Sequence, residues 1–548
     1  MEIKTLIKYI LFFLVLSLNL QVASAQVVWE NPDAAVYPFL QRHAQKGNIS
    51  LDDLVQPFSR KHIYDKLTQL RDSTGRLSVV EEKELEFYLN EYTEFDTTLP
   101  DSSGFLKNDE GGRWRFLSVK KDGFVLRADP VIQSSMVVGE GKNIFTWANG
   151  LSFWGNAGTN FSFQASFRDI TESGDGIDSI RQFNSKPGIV RTISQKGSSL
   201  NYTDLRGSMT YSWRNGSLSI GKDQQLWGYG EGGRLILSDK APASPFIRLD
   251  YQPLKWLKFH YSHAWLHSNL IDSAGRYPTG NDVYGGIREA YIPKFLATHS
   301  FTFLPARGLS FSIGESMVYS DRPDIGYLIP VMFFKAYDHY SSRYKISTGG
   351  NGQFFLQASS RGQLKNTHLY GSLFIDEVRA SEIFNSERSR NQIGFQLGGS
   401  ITDVIVPYLT AGIEYSRINP FVYQNLAPVQ NYTSHNYLLG DWIGQNADRV
   451  TAFLKYNPMP RLSTRLQVDY IRKGEEGSVH DQYFAQPQPK FLDSGFKKQK
   501  QLLLDVKYEL KHKLYLQAAY FKQAGVIRPD LQRNVAPQEF RLGFSYGL

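Results

Sequence analysis

The chain has 548 residues, with 61 Lys and Arg against 53 Asp and Glu, a formal net charge of +8 and no cysteine. The lack of cysteine excludes disulfides, thiolate metal sites, cysteine nucleophiles and a lipidated N-terminal cysteine. The charge excess is mild and spread along the chain, which permits an acidic partner and offers no basic stripe for nucleic acid.

The chain opens "MEIKTLIKYILFFLVLSLNLQVASAQ". Lys4 and Lys8 make a basic start, Ile10 to Leu16 centre a short apolar run, and Ala23-Ser24-Ala25 is a cleavage site. This reads as a secretory signal peptide over residues 1–25. The run is too short for a spanning anchor, and no later stretch has the roughly 18 consecutive apolar residues that a spanning helix needs.

Residues 26–96 read as a small helical domain, expected in the periplasm. Ile63, Leu67 and Leu70 recur on one helical face behind Ser59 as N-cap. Ser78 and Glu81 form a capping box before a stripe of Leu85, Leu89 and Tyr92. "AAVYPFLQRHAQKG" reads as an earlier helix closed by Gly47. So small a unit buries little core alone and must pack on the larger C-terminal part of the chain. Residues 97–110, "TTLPDSSGFLKNDE", read as a linker.

From residue 111 to 548 the period changes to two. Phe161, Phe163, Ala165 and Phe167 alternate with polar residues, as do Leu409, Ala411, Ile413 and Tyr415, and Phe540, Leu542, Phe544 and Tyr546 near the end. Short turns fall near Gly158, Asn215-Gly216, Pro253, Pro305, Lys365, Asp403, Pro458 and His512, with long polar segments between them. Short turns on one side and long loops on the other suit an outer-membrane barrel, here of about 16–18 strands. The fold class is therefore mainly β: a large antiparallel transmembrane barrel with a small N-terminal helical domain. A soluble sandwich or solenoid would need a composition break or a fixed repeat, and neither is seen.

Gly228-x-Gly230-x-x-Gly233 has the spacing of a dinucleotide fingerprint. The fingerprint needs a helix directly after it, and here "RLILSD", Pro242 and Pro245 come next instead. These glycines are expected at a bend, or in a segment folded against the lumen. At this point the sequence resembles a family. "IGKDQQLWGYGEGGRLILSDKAPASPFIRL" resembles the Wzi-type capsule-assembly proteins, supported by "YLIPVMFF", "LFIDEV" and "YLLGDWIGQNADRV". The resemblance implies a porin-like barrel with a periplasmic helical bundle and a lectin-like role in holding capsular polysaccharide. It maps no individual sugar-contacting residue onto this chain.

For sugar binding, aromatic faces and polar forks are the useful groups. Lys222, Asp223, Gln224, Trp227, Tyr229, Arg234 and Asp239 supply both within one short segment, and Trp442, Tyr483, Phe484 and Tyr423 are alternative contacts. The competing reading is that the cluster folds into the lumen and holds the barrel together. His260, His263 and His267 do not make a metal site, because His260 and His263 point to opposite faces of a strand and His263 lies about 13 Å from His267. No hydrolase or nucleotide motif survives, so no enzyme and no cofactor are expected. The expected partners are exported polysaccharide and outer-membrane lipid, with the chain a monomer in the cell outer membrane. The alternative is a porin or transporter for small solutes or oligosaccharides.

Overall fold

The computed structural model describes residues 26–547 except 74–76, 97, 191–197, 281–284, 345–348, 378–384, 386–390, 486, 494 and 533–535. The leader assigned to residues 1–25 lies outside the described residues.

Eighteen antiparallel strands close into one barrel. The wall begins at Phe124–Gly139 and ends at Gln538–Tyr546, and these two strands close it, from Glu539 opposite Gly139 to Tyr546 opposite Ile132. Closure leaves no unpaired edge in lipid. The period of two sorts side chains by solvent. In Ala447–Tyr456, Arg449, Thr451 and Phe453 are buried inward while Val450 and Leu454 face out. The outer surface carries exposed Phe145, Leu151, Leu205, Ile220, Leu516 and Leu542, an apolar belt for lipid. No helix among the described residues is long and apolar enough to cross a membrane.

Residues 97–110 depart from the expected linker. Ser102–Asn108 is a strand paired with Trp114–Lys121, which in turn pairs with the first wall strand, Leu117 opposite Ala128. A partner strand supplies backbone bonds that the polar sequence does not advertise. The wall proper therefore starts at Phe124, not near residue 111.

Among the described residues three α-helices precede the wall, Val36–Gln45, Arg60–Asp72 and Val79–Leu89. Ser59 caps the second through His62 N, and Ser78 with Glu81 forms a reciprocal capping box on the third. Leu40, Ile63, Leu67, Leu70 and Leu85 make their shared core. Their polar rim grips the short turns of the barrel. Arg42 pairs with Asp403 at 2.8 Å, Gln45 donates to Asn366 O at 2.9 Å, and Arg307 donates to Asn48 O at 2.8 Å. Arg461 N donates to Glu84 at 3.2 Å, and His512 donates to Phe87 O at 2.6 Å. The helices thus lie across the short-turn mouth.

Candidate functional site

The connection 224–243 leaves the wall at Asp223 and rejoins it at Ser244, which pair with each other. It does not spread outward as a loop. It turns into the lumen as a hairpin, with Trp227 N donating to Leu237 O at 2.9 Å. Its outgoing arm meets a strand arriving from the opposite mouth. Val55 pairs with Trp227 and Gln56 with Leu226, and Gly228 N donates to Leu54 O at 2.8 Å. A two-stranded sheet therefore sits inside the barrel, one strand from each end.

Side chains fix this plug to the wall. Asp53 accepts hydrogen bonds from Tyr229 Oη and from Arg361 Nη2, the latter at 3.0 Å. Tyr229 also packs on the rings of His368 and Tyr370. Glu414 accepts from Glu231 N at 2.8 Å, Gly232 N at 3.2 Å and Tyr370 Oη at 2.7 Å. Lys455 holds the Glu231 carboxylate at 2.6 Å. A carboxylate filled by several donors is stable in a low-dielectric interior where a bare one is not.

The second filling segment is 419–446. Tyr423 Oη donates to Leu235 O at 2.6 Å and Tyr432 Oη to Ile236 O at 2.8 Å, while Trp442 Nε1 donates to Gly232 O at 2.7 Å. Arg449 forks onto Asp441 at 3.0 and 2.7 Å, both side chains fully buried. The glycine spacing has its explanation here. Gly228 has φ +93°, and a Cβ on Gly233 would sit 2.6 Å from Asp441 Oδ1. The glycines let backbone pass against a buried ion pair; no helix comes directly after them.

Above the plug, on the long-loop side, is a cup with a cavity of about 210 Å³. Phe183, Tyr437 and Trp442 give it aromatic surface, and Lys240, Glu476 and Arg528 give it charge. Arg528 pairs with Glu476 at 2.6 Å and lies over the Phe183 ring at 4.8 Å. Burial pulls the Lys240 ammonium down to about 7, and it donates to Asn184 O at 2.8 Å and Lys186 O at 2.6 Å.

The candidate residues thus divide. Trp227 and Tyr229 lie buried inside the core, within the plug. Arg234 donates to Gly228 O at 3.0 Å, Gln224 to Asp239 O at 3.1 Å, and Asp223 faces Arg206 at 3.5 Å, all within the plug and its root. Lys222 is half-buried on the wall and Asp239 is exposed. Trp442 and Tyr423 line the cup from below, largely buried. Tyr483 is apart, on the short helix Val479–Phe484, donating to Glu377 at 3.0 Å, with Phe484 exposed beside it. Sequence reasoning missed Phe183, Tyr437 and Arg528, which come from three separate loops with no shared spacing. Of the histidines, His260 faces the lumen and meets Asp250 at 2.6 Å, His263 faces out against Tyr319 at 2.7 Å, and His267 stacks on His435.

A family profile for the capsule assembly protein Wzi matches residues 190–533. Among solved structures the chain is similar to Wzi of Escherichia coli, an outer membrane protein involved in group 1 capsule assembly and described as a carbohydrate-binding β-barrel. The TM-score is 0.59 at 13% identity, covering 96% of this chain and 100% of that one. OprD of Pseudomonas aeruginosa gives a TM-score of 0.42 at 11% identity, covering 82% of this chain and 98% of that one. OpdK of the same organism, solved with vanillate, gives 0.43 at 9%, covering 77% and 98%. A search of curated proteins found no match. With a profile match over more than half its length and a barrel built for the outer membrane, the chain belongs to the Wzi capsule-assembly family.

Proposed function

We propose that the protein holds exported polysaccharide at the outer face of the outer membrane and does not conduct solutes freely. The observation that carries this reading is the meeting of Trp227 with Val55 inside the lumen, backed by helices across the short-turn mouth. A porin needs a water path from mouth to mouth, and the plug stands in it. The cup above the plug has what a sugar chain needs, flat aromatic faces beside hydrogen-bonding and charged groups. The name of the family and the carbohydrate binding described for the Escherichia coli protein point the same way. The helical region then faces the periplasm, since short turns lie on that side of such barrels. The role is one of binding, without catalysis.

The test is deletion of the gene with polysaccharide measured on cells and in the medium. Attachment predicts an unchanged total that shifts from cells to medium, and restoration by the wild-type chain but not by Tyr437→Ala in the cup. Normal surface polysaccharide with slower uptake of a small solute would establish the porin reading instead.

A further inference from the structure

One sector of the outer wall breaks the apolar rule. Phe355 packs on Trp227 in the lumen and pairs with Gly314, so Glu315, Met317 and Tyr319 point outward. His299 pairs with Glu315 and also points outward, as does His263 opposite Ala297. Bare carboxylate and imidazole groups at this depth would face hydrocarbon. They are not bare. Glu315 and His299 are only 3% and 7% exposed, and Phe295, Ala297, Met317 and Tyr319 around them are buried as well.

What covers them is the connection after Ser320, which folds back down the outside of the wall. Glu315 accepts from Phe334 N at 2.6 Å and Lys335 N at 3.3 Å, at the start of the helix Phe334–Tyr344. His299 Nδ1 donates to Pro330 O at 2.9 Å, and Tyr261 Oη donates to Tyr327 O at 2.9 Å. Tyr327 and Phe334 are buried against Phe259, Phe295 and Tyr319. The polar groups on the wall are thus spent on holding this flap.

The other side of the flap is apolar. Residues 325–334 read "IGYLIPVMFF", without a charge. Ile325, Val331 and Phe333 are 76%, 70% and 56% exposed. Patches of this kind on a water-facing loop invite association. Here the patch is continuous with the lipid belt. Ile313, two residues before Glu315, and Leu356 on the paired strand are exposed belt residues, and Phe333 lies 6.0 Å from the wall's Phe354. We infer that residues 325–334 lie among the acyl chains of the outer leaflet, as a membrane-embedded flap that replaces the wall surface over Glu315 and His299. The uncharged run and its continuity with the belt favour acyl chains over water or a second copy of the chain.

The chain has no native cysteine, so single labels report cleanly. Val331→Cys and, separately, Phe333→Cys would carry a nitroxide in the full chain reconstituted into phosphatidylcholine and phosphatidylglycerol bilayers. Leu542→Cys is the belt reference and Lys83→Cys the water reference, and a heat-dependent mobility shift verifies folding of each. Collision of the label with dissolved oxygen and with a water-soluble nickel chelate is measured. The expected result is a high oxygen-to-nickel ratio at 331 and 333, matching Leu542→Cys. A ratio matching Lys83→Cys places the flap in water and overturns the proposal. Low collision with both reagents means protein covers the patch, as in a dimer, and overturns it equally.

Discussion

Replacing Gly233 with alanine tests whether the plug is locked to the wall by close backbone approach. The added methyl would lie 2.6 Å from Asp441 Oδ1, where an unstrained contact is about 3.5 Å. Asp441 cannot step aside cheaply, because Arg449 grips both of its oxygens at 3.0 and 2.7 Å. Overpacking of this kind costs about 1–3 kcal/mol. Outright loss of one partner of a buried pair costs about 3–5 kcal/mol; the pair here is bent and not deleted, so the lower range applies. A cost of about 2 kcal/mol raises the population with the plug undocked about 30-fold. Arg234 is next in the chain and half-buried in the docked state. Trypsin cleavage after Arg234 in the detergent-folded protein therefore reads undocking, and should rise about 30-fold where cleavage tracks the open population. In an Asp441→Ala background the obstacle is gone and the same change should add little. An unchanged cleavage rate, or an equal increment in both backgrounds, would refute the reasoning.

Asp53→Asn removes the carboxylate shared by Arg361 and Tyr229; a loss of about 3–5 kcal/mol is expected at this buried pair, with the expected readout in planar bilayers being conductance steps more frequent than those of the wild-type barrel. Docking of the helical region should depend on pH with a maximum near 4.5. Burial raises Glu84 from 4.5 to about 7, so its contribution is complete below 4.5 and fades as pH rises through 7. Glu81 is opposed by burial but held down to about 2 by the hydrogen bond from Lys46, the Ser78 backbone and Arg42, so its contribution is complete above 4.5 and is lost as pH falls toward 2. Hydrogen exchange of Val79–Leu89 across this range checks both limbs, and Glu84→Gln should flatten only the upper one.

The barrel was legible because its signal is repeated. Strand after strand alternates, and each of the eight short turns falls where the chain reverses. The caps at Ser59 and Ser78 were legible for the opposite reason, being complete within four residues. The plug was readable in outline, as a glycine-marked segment folded into the lumen, but its partner strand was not. The pairing of Gln56 with Leu226 is two residues long and joins distant parts of the chain, so no period announces it. Glycines marked the place but not the partner, since what forbids a side chain at Gly233 is Asp441, far along the sequence. The aromatic cluster at 227 and 229 could be read as a sugar platform or as lumen filling, because composition cannot tell an inward ring from an exposed one. Of the cup, Trp442 and Tyr423 were named from their loops, while Phe183, Tyr437 and Arg528 were lost among long loops for the same reason. "YLIPVMFF" stood out only as part of a resemblance; its place outside the wall comes from the strand parity of Glu315, which needs a register.

The sheet at the centre of the lumen also decides where force goes. On the proposed role, a held polysaccharide would drag on the cup whenever fluid moves past the cell. Tension on the cup reaches the 224–243 hairpin through Trp442 and Tyr423. The hairpin is rooted at a closed base, Asp223 against Ser244, and its outgoing arm is tied by Val55 and Asp53 to the helices at the far mouth. The load is therefore shared between the wall and an anchor plate on the opposite side of the membrane, as a bolt shares it between head and nut.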